Sequence, residues 1–402
     1  MRKILLIAVV IPLVVAAGWY YFRERVLPGY GPLYREYAYV TNGKSNTVTV
    51  VDLRSFRPVR TIQVGTEPTG AAANPRRNEI YVVNAGSANV SVIDAEQNKV
   101  VATIGVYGRP YFIDVSPDGH RAYVANSGSD NISVLDLDQR KVAATIGVGG
   151  SPGLARVSPD GSTVVVANRA DNTVSIIDTS RLAVRSVITV CIHPEDIAIL
   201  PDSRKAFISC SGSDQVASIS LKSEGKNDGI NNNGQENDKL LALLDTGKSP
   251  VSLALKPDGG ELVVFNFDAG SISIVETTAN EVSGSFFVGA QPARGVVSLD
   301  NSRLYISNFG SNNVAVYDID LGKVIAYLPV GTHPDALALS HSQNYLLVAD
   351  SGSGDLAVIQ KRQPKKKFEP LEYSLMTIVP VGMQPNQIVV KSFWVTKITS
   401  GR

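Results

Sequence analysis

The sequence predicts an all-β fold, a β-propeller built from four-stranded antiparallel blades. The first observation is a motif that begins as Tyr39-Val40-Thr41-Asn42 and returns at positions 81, 123, 165, 207, 263, 305 and 347. Successive starts lie 42 residues apart, with one step of 56 residues from 207 to 263. The second observation is that turn-forming residues separate short β-rich runs inside each repeat. A fixed period of this length, made of such runs, is typical of propeller blades.

One repeat shows how four strands fit into each unit. The stretch 110–115 alternates apolar and polar residues and ends at Ser116-Pro117-Asp118-Gly119. This tetrapeptide predicts a hairpin turn, because proline presets the first turn angle and glycine supplies a left-handed residue. The runs 123–126, 132–136 and 141–146 give the other three strands. The asparagine that ends the repeated motif is interpreted as a turn residue with positive φ that bonds the backbone two residues on, and not as a ligand.

The number of blades follows from a proline that opens the innermost strand of each unit. This proline occurs eight times, at Pro68, Pro110, Pro152, Pro194, Pro250, Pro292, Pro334 and Pro385. The motif at Tyr39 has no such strand before it, so we expect the strand after Pro385 to complete its blade and close the ring without open edges. The sequence therefore predicts eight blades, with seven as the alternative. The segment 393–397 resembles a degenerate ninth copy that would compete with Tyr39 for the same place.

Two insertions interrupt the period, within 222–238 and within 361–373. Both fall between the third and fourth strands of a blade. The first is rich in Asn and Asp but lacks the acidic spacing of an EF-hand loop, which favours a solvated loop. The second contains Lys365, Lys366 and Lys367, which could contact anionic lipid or an acidic partner, or could simply form a charged surface hairpin.

The first residues indicate export or membrane anchoring. An unbroken apolar run covers residues 4–22, with Trp19, Tyr20 and Tyr21 where an interfacial aromatic belt would fall. Its length favours an N-terminal apolar helix that anchors the chain over a cleaved signal peptide. We expect a signal or anchor at 1–25, a linker at 26–35, the propeller at 36–391 and a tail at 392–402, with the propeller in the bacterial periplasm or at the cell surface. The net charge of +1 argues against nucleic acid as a partner.

The cysteines and the absence of catalytic motifs limit the possible chemistry. Cys191 and Cys210 are the two cysteines, and neither lies in a Cys-x-x-Cys-His motif for covalent haem. They could form one disulfide in an oxidising compartment or remain two separate buried residues. The sequence holds no Ser-His-Asp order and no Gly-rich phosphate loop. It therefore predicts no cofactor and no dedicated metal site.

Candidate functional residues are found where the repeats differ. The residue before each inner-strand proline should rim the mouth of the axial channel, together with Tyr111, Glu195, Asp335 and Asn386 just after the prolines. Charged departures from the repeat pattern form the predicted ligand-binding cluster: Arg109, Asp114, Arg156, His193, Asp196, Arg294 and His333. Asp and Arg pairs that only seal a wet channel are the alternative.

The motifs at Tyr39-Val40-Thr41-Asn42, Tyr81-Val82-Val83-Asn84 and Ser158-Pro159-Asp160-Gly161 resemble the YVTN-repeat β-propeller family. The resemblance covers nearly all of the chain after residue 35 and implies an extracytoplasmic propeller of the surface-layer or periplasmic type. More distantly, the repeats are similar to haem d1 propellers and propeller lactonases. The expected function is a binding scaffold for a protein, peptide or glycan at the cell envelope. The alternative is a cofactor-binding or enzymatic propeller, in which His193 or His333 would supply an axial ligand.

Overall fold

A computed structural model describes residue 31 and residues 33–222, 238–362 and 372–395 of the chain. These residues form 32 strands in eight four-stranded antiparallel sheets, and they contain no helix. The prediction of an all-β propeller is confirmed, with eight blades and not the alternative seven. Within these ranges no helix could cross a membrane. The predicted N-terminal apolar helix lies outside the described residues.

Each blade runs from an innermost to an outermost strand, and every innermost strand begins at a predicted proline. The innermost strands are β4 (Pro68–Ala73), β8 (Pro110–Val115), β12 (Pro152–Val157), β16 (Pro194–Ile199), β20 (Pro250–Leu255), β24 (Pro292–Val297), β28 (Pro334–Leu339) and β32 (Pro385–Trp394). The second strands are β1 (Tyr34–Asn42), β5 (Glu79–Asn84), β9 (Arg121–Asn126), β13 (Thr163–Asn168), β17 (Lys205–Cys210), β21 (Glu261–Asn266), β25 (Arg303–Asn308) and β29 (Tyr345–Asp350).

The third and fourth strands complete each sheet. The third strands are β2 (Thr47–Asp52), β6 (Asn89–Asp94), β10 (Asn131–Asp136), β14 (Thr173–Asp178), β18 (Gln215–Ser220), β22 (Ser271–Glu276), β26 (Asn313–Asp318) and β30 (Asp355–Arg362). The fourth strands are β3 (Arg57–Gln63), β7 (Lys99–Gly105), β11 (Lys141–Gly147), β15 (Ala183–Thr189), β19 (Lys239–Asp245), β23 (Glu281–Phe287), β27 (Lys323–Pro329) and β31 (Glu372–Pro380). Blade 1 contains β32 and β1 to β3, blade 2 contains β4 to β7, and the numbering continues to blade 8, which contains β28 to β31.

Blade 1 combines strands from both ends of the described chain. β32 pairs with β1 from Trp394 opposite Tyr34 to Pro385 opposite Asn42. Phe393 and Trp394 are therefore the end of an innermost strand, and the suggestion that they begin a competing ninth copy is wrong. The propeller also extends past the expected boundary at residue 391. Both insertions fall between third and fourth strands as predicted, and most of their residues, including Lys365, Lys366 and Lys367, lie outside the described ranges.

The hydrophobic core lies between neighbouring blades. Val48 and Val50 of blade 1, for example, pack in one cluster with Ile80 and Val82 of blade 2. These four side chains are fully buried, and each such aliphatic side chain stabilises the fold by about 1.5–3 kcal/mol. The second and third strands are buried along nearly their whole length, for example in β5 and β6, because both faces of each sheet contact another blade.

Two opposite faces result from the up-and-down order of strands. The face with the turns between first and second strands, and between third and fourth strands, is called the turn face. The opposite face, with the connections between blades, is called the mouth face. On the turn face Gly119 and Gly161 have φ of 73° and 76°. The predicted Ser-Pro-Asp-Gly turns with a left-handed glycine are confirmed.

The repeated asparagine has a different role from the predicted one. It does not have positive φ; on the mouth face of blade 4 the positive value belongs to Asn172, four residues after Asn168. The fully buried Asn168 instead donates from Nδ2 to Thr173 Oγ1 at 3.0 Å and to Ser175 Oγ at 2.9 Å on the next strand. The same pattern of two bonds, to residues five and seven positions on, recurs at Asn42, Asn84, Asn126 and Asn266. The asparagine therefore ties two strands together at the blade end.

The two cysteines form a disulfide, which resolves the alternatives left open by the sequence. The Cys191 and Cys210 Cα atoms are 5.7 Å apart. Cys210 occupies the asparagine position of blade 5, and Cys191 lies on the connection from blade 4. In five other blades a glycine on this connection packs on the asparagine, and a Cβ on Gly149, for example, would lie 2.7 Å from Asn168 Cγ. A covalent link thus replaces a close glycine–asparagine contact between two blades.

Candidate ligand site at the channel mouth

A cavity of about 310 Å³ lies on the axis of the propeller. All eight blades line it, through Thr69, Tyr111, Phe112, Leu154, Arg156, Arg169, Glu195, Asp196, Val251, Ser252, Phe267, Ala293, Arg294, Asp335 and Gln387. Most of these residues are the first or second residue after an inner-strand proline. This agrees with the prediction that the residues just after the inner-strand prolines face the channel.

The backbone around the mouth is held in an unusual conformation. The residue before every inner-strand proline has φ between 48° and 60°: Glu67, Arg109, Ser151, His193, Ser249, Gln291, His333 and Gln384. The backbone N–H of His193 donates to Asn172 Oδ1 at 2.9 Å, and that of His333 donates to Asn312 Oδ1 at 2.9 Å. Such bonds offset the cost of the left-handed conformation, about 1–3 kcal/mol for a residue other than glycine. The rim backbone at His193 and His333 is therefore fixed by hydrogen bonds from the neighbouring turn.

Arg156 and Asp196 are two predicted site residues that the structure brings together. The shortest distance between the Arg156 guanidinium and the Asp196 carboxylate is 3.8 Å, and Arg156 lies over the Phe112 ring at 4.6 Å from its centroid. Asp196 Oδ2 also accepts bonds from Ser252 Oγ and Leu253 N, both at 3.0 Å, on the next inner strand. Asp196 thus links two blades and orients an arginine in the cavity.

Asp114 has a structural place below this pair. Its carboxylate accepts N–H bonds from Val115 at 3.1 Å and from Val157, on the next inner strand, at 3.0 Å. Burial raises the pKa of the Asp114 carboxyl above its usual range, while the charge of Arg156 and the two N–H bonds act in the opposite direction. Asp114 is not among the lining residues, so its contribution is to hold two blades and to face Arg156.

A second cluster combines an arginine that sequence reasoning missed with two residues of the rim. Arg169 pairs with Glu195 at 2.8 Å and stacks on the Tyr111 ring at 4.5 Å from its centroid. Glu195 also contacts His193, with 2.8 Å between His193 Nδ1 and Glu195 Oε1. His193 lies outside the lining and reaches the cavity only through Glu195. Its side chain is 52% exposed.

The remaining predicted residues divide between the cavity and its surroundings. Arg294 lines the cavity and pairs with Asp335, with 3.4 Å between Arg294 Nε and Asp335 Oδ1. His333 stacks on Phe309, with ring centroids 4.4 Å apart, and does not line the cavity. Arg109 is exposed on the rim and is also absent from the lining. The structure therefore unites Arg156, Asp196 and Arg294, with Asp114 and His193 adjacent, and separates Arg109 and His333.

The sequence did contain a signal for the missed residues. Arg169 and Phe267 both lie directly after the motif asparagine, where five other repeats carry a small residue and one carries Phe309: Gly43, Ala85, Ser127, Ser211 and Ser351 are the small ones. The local pattern predicts only a turn here, since the preceding asparagine is a typical turn residue. In the structure Arg169 and Phe267 line the cavity, whereas Phe309 stacks on His333 outside the lining.

Two further observations concern other possible sites in the described residues. A smaller cavity of about 150 Å³ between blades 6 and 7 is lined largely by apolar side chains, including Val263, Phe286 and Leu304. Within the described residues, no group of three or more His, Cys, Asp and Glu side chains could hold a metal ion. The axial cavity is thus where the charged side chains converge.

Comparisons with known proteins agree with the architecture. A family model described as YNCE-like beta-propeller matches residues 29–157, and one described as Lactonase, 7-bladed beta-propeller matches residues 276–384. This chain is a β-propeller similar in part to both. The resemblance predicted from the repeats is therefore confirmed. No curated protein sequence matches the chain.

Solved structures show the same fold at low sequence identity. Hydrazine synthase of Kuenenia stuttgartiensis is 24% identical, with a TM-score of 0.56 over 70% of this chain and 91% of that one. The dihydro-heme d1 dehydrogenase NirN, in complex with DHE, is 16% identical, with a TM-score of 0.71 over 88% of this chain and 74% of that one. A functionally unknown protein from Desulfotomaculum acetoxidans is 16% identical, with a TM-score of 0.58 over 74% of this chain and 99% of that one. At these identities the likeness establishes the fold alone.

Proposed function

We propose that the propeller is a non-catalytic binding scaffold whose axial cavity binds a peptide segment of a partner protein at the cell envelope. The observation that carries the proposal is the convergence of the non-repeated charged and aromatic residues on one cavity lined by all eight blades. A repeat that tolerates Ser, Ala and Val at these positions has no architectural need for such side chains. Their concentration at one place is typical of a recognition site.

The chemistry of the lining favours a ligand with charges of both signs. Three arginines each face a carboxylate: Arg156 with Asp196, Arg169 with Glu195 and Arg294 with Asp335. Acidic and basic side chains of a peptide can replace these contacts one for one, whereas a neutral glycan would desolvate them without supplying charge. Tyr111 and Phe267 add aromatic faces of the kind that dominate binding energy in many interfaces. The expected ligand is a mixed-charge peptide that also carries an apolar or aromatic residue.

A selection experiment tests this proposal. The full-length chain in detergent would be used to select from a displayed library of random peptides, and the enriched peptides would be measured against Arg169→Ala/Arg294→Ala and a matched control, Arg181→Ala/Lys323→Ala. We expect enriched peptides of mixed charge, with affinity about 10-fold or more weaker for the cavity variant and unchanged for the control. Peptides that bind both variants equally, or a library without enriched peptides alongside binding on a glycan array, would contradict it.

The cofactor-binding alternative has its own readout. Protein purified from its native host would be examined by visible absorption spectroscopy and metal analysis. A bound chromophore or a stoichiometric metal would overturn the scaffold proposal. The likeness to a haem d1 enzyme concerns the fold, and in this structure neither His193 nor His333 lines the cavity.

We also propose that the propeller lies outside the cytoplasm and is held at the membrane by residues 4–22 as a helix, and that pairing of β32 with β1 closes the ring. The apolar run supports the anchor. The Cys191–Cys210 disulfide supports an oxidising compartment, because such bonds are rare in the cytosol. Alkaline phosphatase fused after residue 402 should be active in the periplasm of a bacterial host. An inactive fusion would contradict this location.

A further inference from the structure

The turn face differs between two sectors of the ring. In blades 3 to 7 the turn after the innermost strand carries an exposed aspartate: Asp118, Asp160, Asp202, Asp258 and Asp300. Blade 2 has Arg76 at this position and blade 8 has Ser342. Blade 1 has no such turn, because β32 and β1 are not consecutive in the chain. Blades 8, 1 and 2 are consecutive around the ring, so one continuous sector lacks the acidic side chain that the other five blades share. This region is called the basic sector.

On the turn face of the basic sector, exposed basic side chains outnumber exposed acidic ones. Arg57 and Arg60 on β3, Arg76, Lys99 and Arg362 are all exposed. The exposed acidic residues on the same side are fewer, Glu96 and Glu372. Asp52, which is half-buried, already accepts bonds from Arg54 N at 2.9 Å and Ser55 Oγ at 3.1 Å. The sector therefore presents a net positive surface to solvent.

An exposed tryptophan lies beside this surface. Trp394 ends β32, is 58% exposed, and packs edge-on against Tyr34 with ring centroids 5.3 Å apart. Tyr34 itself is buried, and Arg54 Nη1 donates to the Tyr34 carbonyl at 3.0 Å. The packing holds Trp394 at the point where β1 begins. An exposed tryptophan next to arginines has the composition of a membrane-interface site, since its ring is favoured at headgroup level.

The position of the apolar run 4–22 in the sequence indicates which partner would contact this surface, namely a lipid bilayer. Residues 23–33 are the only connection between the apolar run 4–22 and Tyr34. At no more than ~3.3–3.6 Å per residue, eleven residues reach at most about 40 Å. If residues 4–22 cross a bilayer, the basic sector is the part of the propeller that is tethered nearest to it.

We propose that the basic sector docks on the anionic headgroups of the bilayer, with Trp394 at the interface and the mouth face directed away from the membrane. The proposal rests on the anchoring of residues 4–22 and goes beyond it by assigning the face and the side chains that contact lipid. Basic residues near an anionic surface each contribute about 1 kcal/mol, or roughly fivefold in partition. Docking by the sector would leave the axial cavity open to a partner from outside.

Fluorescence of Trp394 tests the proposal, because the chain has two tryptophans and Trp19→Phe leaves Trp394 alone. Full-length Trp19→Phe protein would be reconstituted into vesicles whose acyl chains are brominated near the headgroup. With phosphatidylglycerol present, we expect Trp394 fluorescence to be quenched. The quenching should disappear in phosphatidylcholine alone and in ~1 M salt, where the Debye length falls to ~3 Å.

Charge reversal provides matched variants in the same background. Arg57→Glu/Arg76→Glu/Arg362→Glu should abolish the quenching, whereas Arg181→Glu/Lys239→Glu/Lys323→Glu, the same change on the turn face of blades 4, 5 and 7, should preserve it. Unquenched Trp394 in the parent protein, or equal loss in both variants, would overturn the docking proposal. Retention of the chain in the membrane pellet after carbonate washing reports the anchor separately, so failure of docking and failure of anchoring are distinguishable.

Discussion

Asp350 occupies the position that asparagine holds in most blades, and this single atom change alters the chemistry of blade 8. Asp350 is fully buried and pairs in register with Asp355, while Ala357 stands where five other blades offer a hydroxyl side chain seven residues on. Where asparagine would donate a bond, two carboxyl groups meet. Burial and the Asp355 carboxyl raise the pKa of Asp350 to about 8. The Asp350–Asp355 pair avoids charge repulsion only while Asp350 retains its proton.

The pH dependence of stability follows from this pair. The native state retains a proton on Asp350 that the unfolded state loses near pH 4, so the contribution is complete below that pH and is lost as pH rises toward 8. Between these limits the free energy of unfolding should fall by up to about 1.4 kcal/mol per pH unit. Asp350→Asn should remove this slope in denaturant melts from pH 5 to about 9. The reciprocal change Asn84→Asp in blade 2 should introduce one, and identical slopes in all three proteins would contradict the assignment.

At Gly153, one added methyl group would change the position of the Arg169 side chain in the cavity. Other blades carry Thr69, Tyr111, Glu195 or Val251 at this position, so the backbone accepts a side chain, but a Cβ on Gly153 would clash with the guanidinium of Arg169. Gly153→Ala should displace Arg169 from Glu195 and Tyr111 without changing any charge. We expect peptide affinity to weaken several-fold with little change in melting temperature, measured by calorimetry. Gly147→Ala on β11, where an added Cβ meets nothing within 4 Å, is the control. Unchanged affinity in Gly153→Ala would show that the Arg169 position is unimportant.

At the scale of the element, the strands could be predicted from the sequence. The hydrogen-bond partners of the asparagine that ends most second strands could not. Short apolar runs bounded by turn residues predict the second and third strands, because burial of both sheet faces requires such runs. The asparagine was misassigned because its local tendency to form turns was considered without its partners. The signal was present in pairs such as Thr47 and Thr49, or Asn131 and Ser133, which place polar groups five and seven residues after the asparagine. The candidate site was predictable only in part, because Arg169 lies in the turn after a second strand and not on an innermost strand.

The disulfide between blades 4 and 5 can be replaced by the glycine and asparagine that most other blades carry at these two positions. Cys191→Ser/Cys210→Ser should lower the free energy of unfolding by about 3 kcal/mol, as expected for a loop of this size. Cys191→Gly/Cys210→Asn rebuilds the glycine–asparagine contact of other blades and should recover about 1 kcal/mol, the contribution of one net hydrogen bond. A reducing agent should lower the melting temperature of the parent protein alone. An unchanged melting temperature on reduction would indicate that the disulfide does not stabilise the junction.

At the scale of the whole molecule, blade 1 combines strands from both ends of the described residues, because β32 pairs with β1. β32 contributes Ile388 and Phe393 to buried clusters that also contain residues of blades 8 and 2 respectively. Loss of these two side chains alone should cost about 3–6 kcal/mol. The number of blades was predictable from the eight prolines. The pairing partner of β32 required the extra inference that an open edge would be unstable, since β1 and β32 are far apart in sequence.

A truncation tests whether this pairing closes the ring. A chain that stops after residue 383 lacks β32, so the backbone groups of β1 that pair with it are left as an exposed edge. We expect this protein to lose its single cooperative unfolding transition and to form concentration-dependent aggregates in light scattering. The matched control stops after residue 395 and keeps every described strand. If the two truncated proteins unfold at the same temperature with equal cooperativity, β32 does not close the ring, and the seven strand sets that lie wholly within residues 68–380 would have to form the stable propeller by themselves.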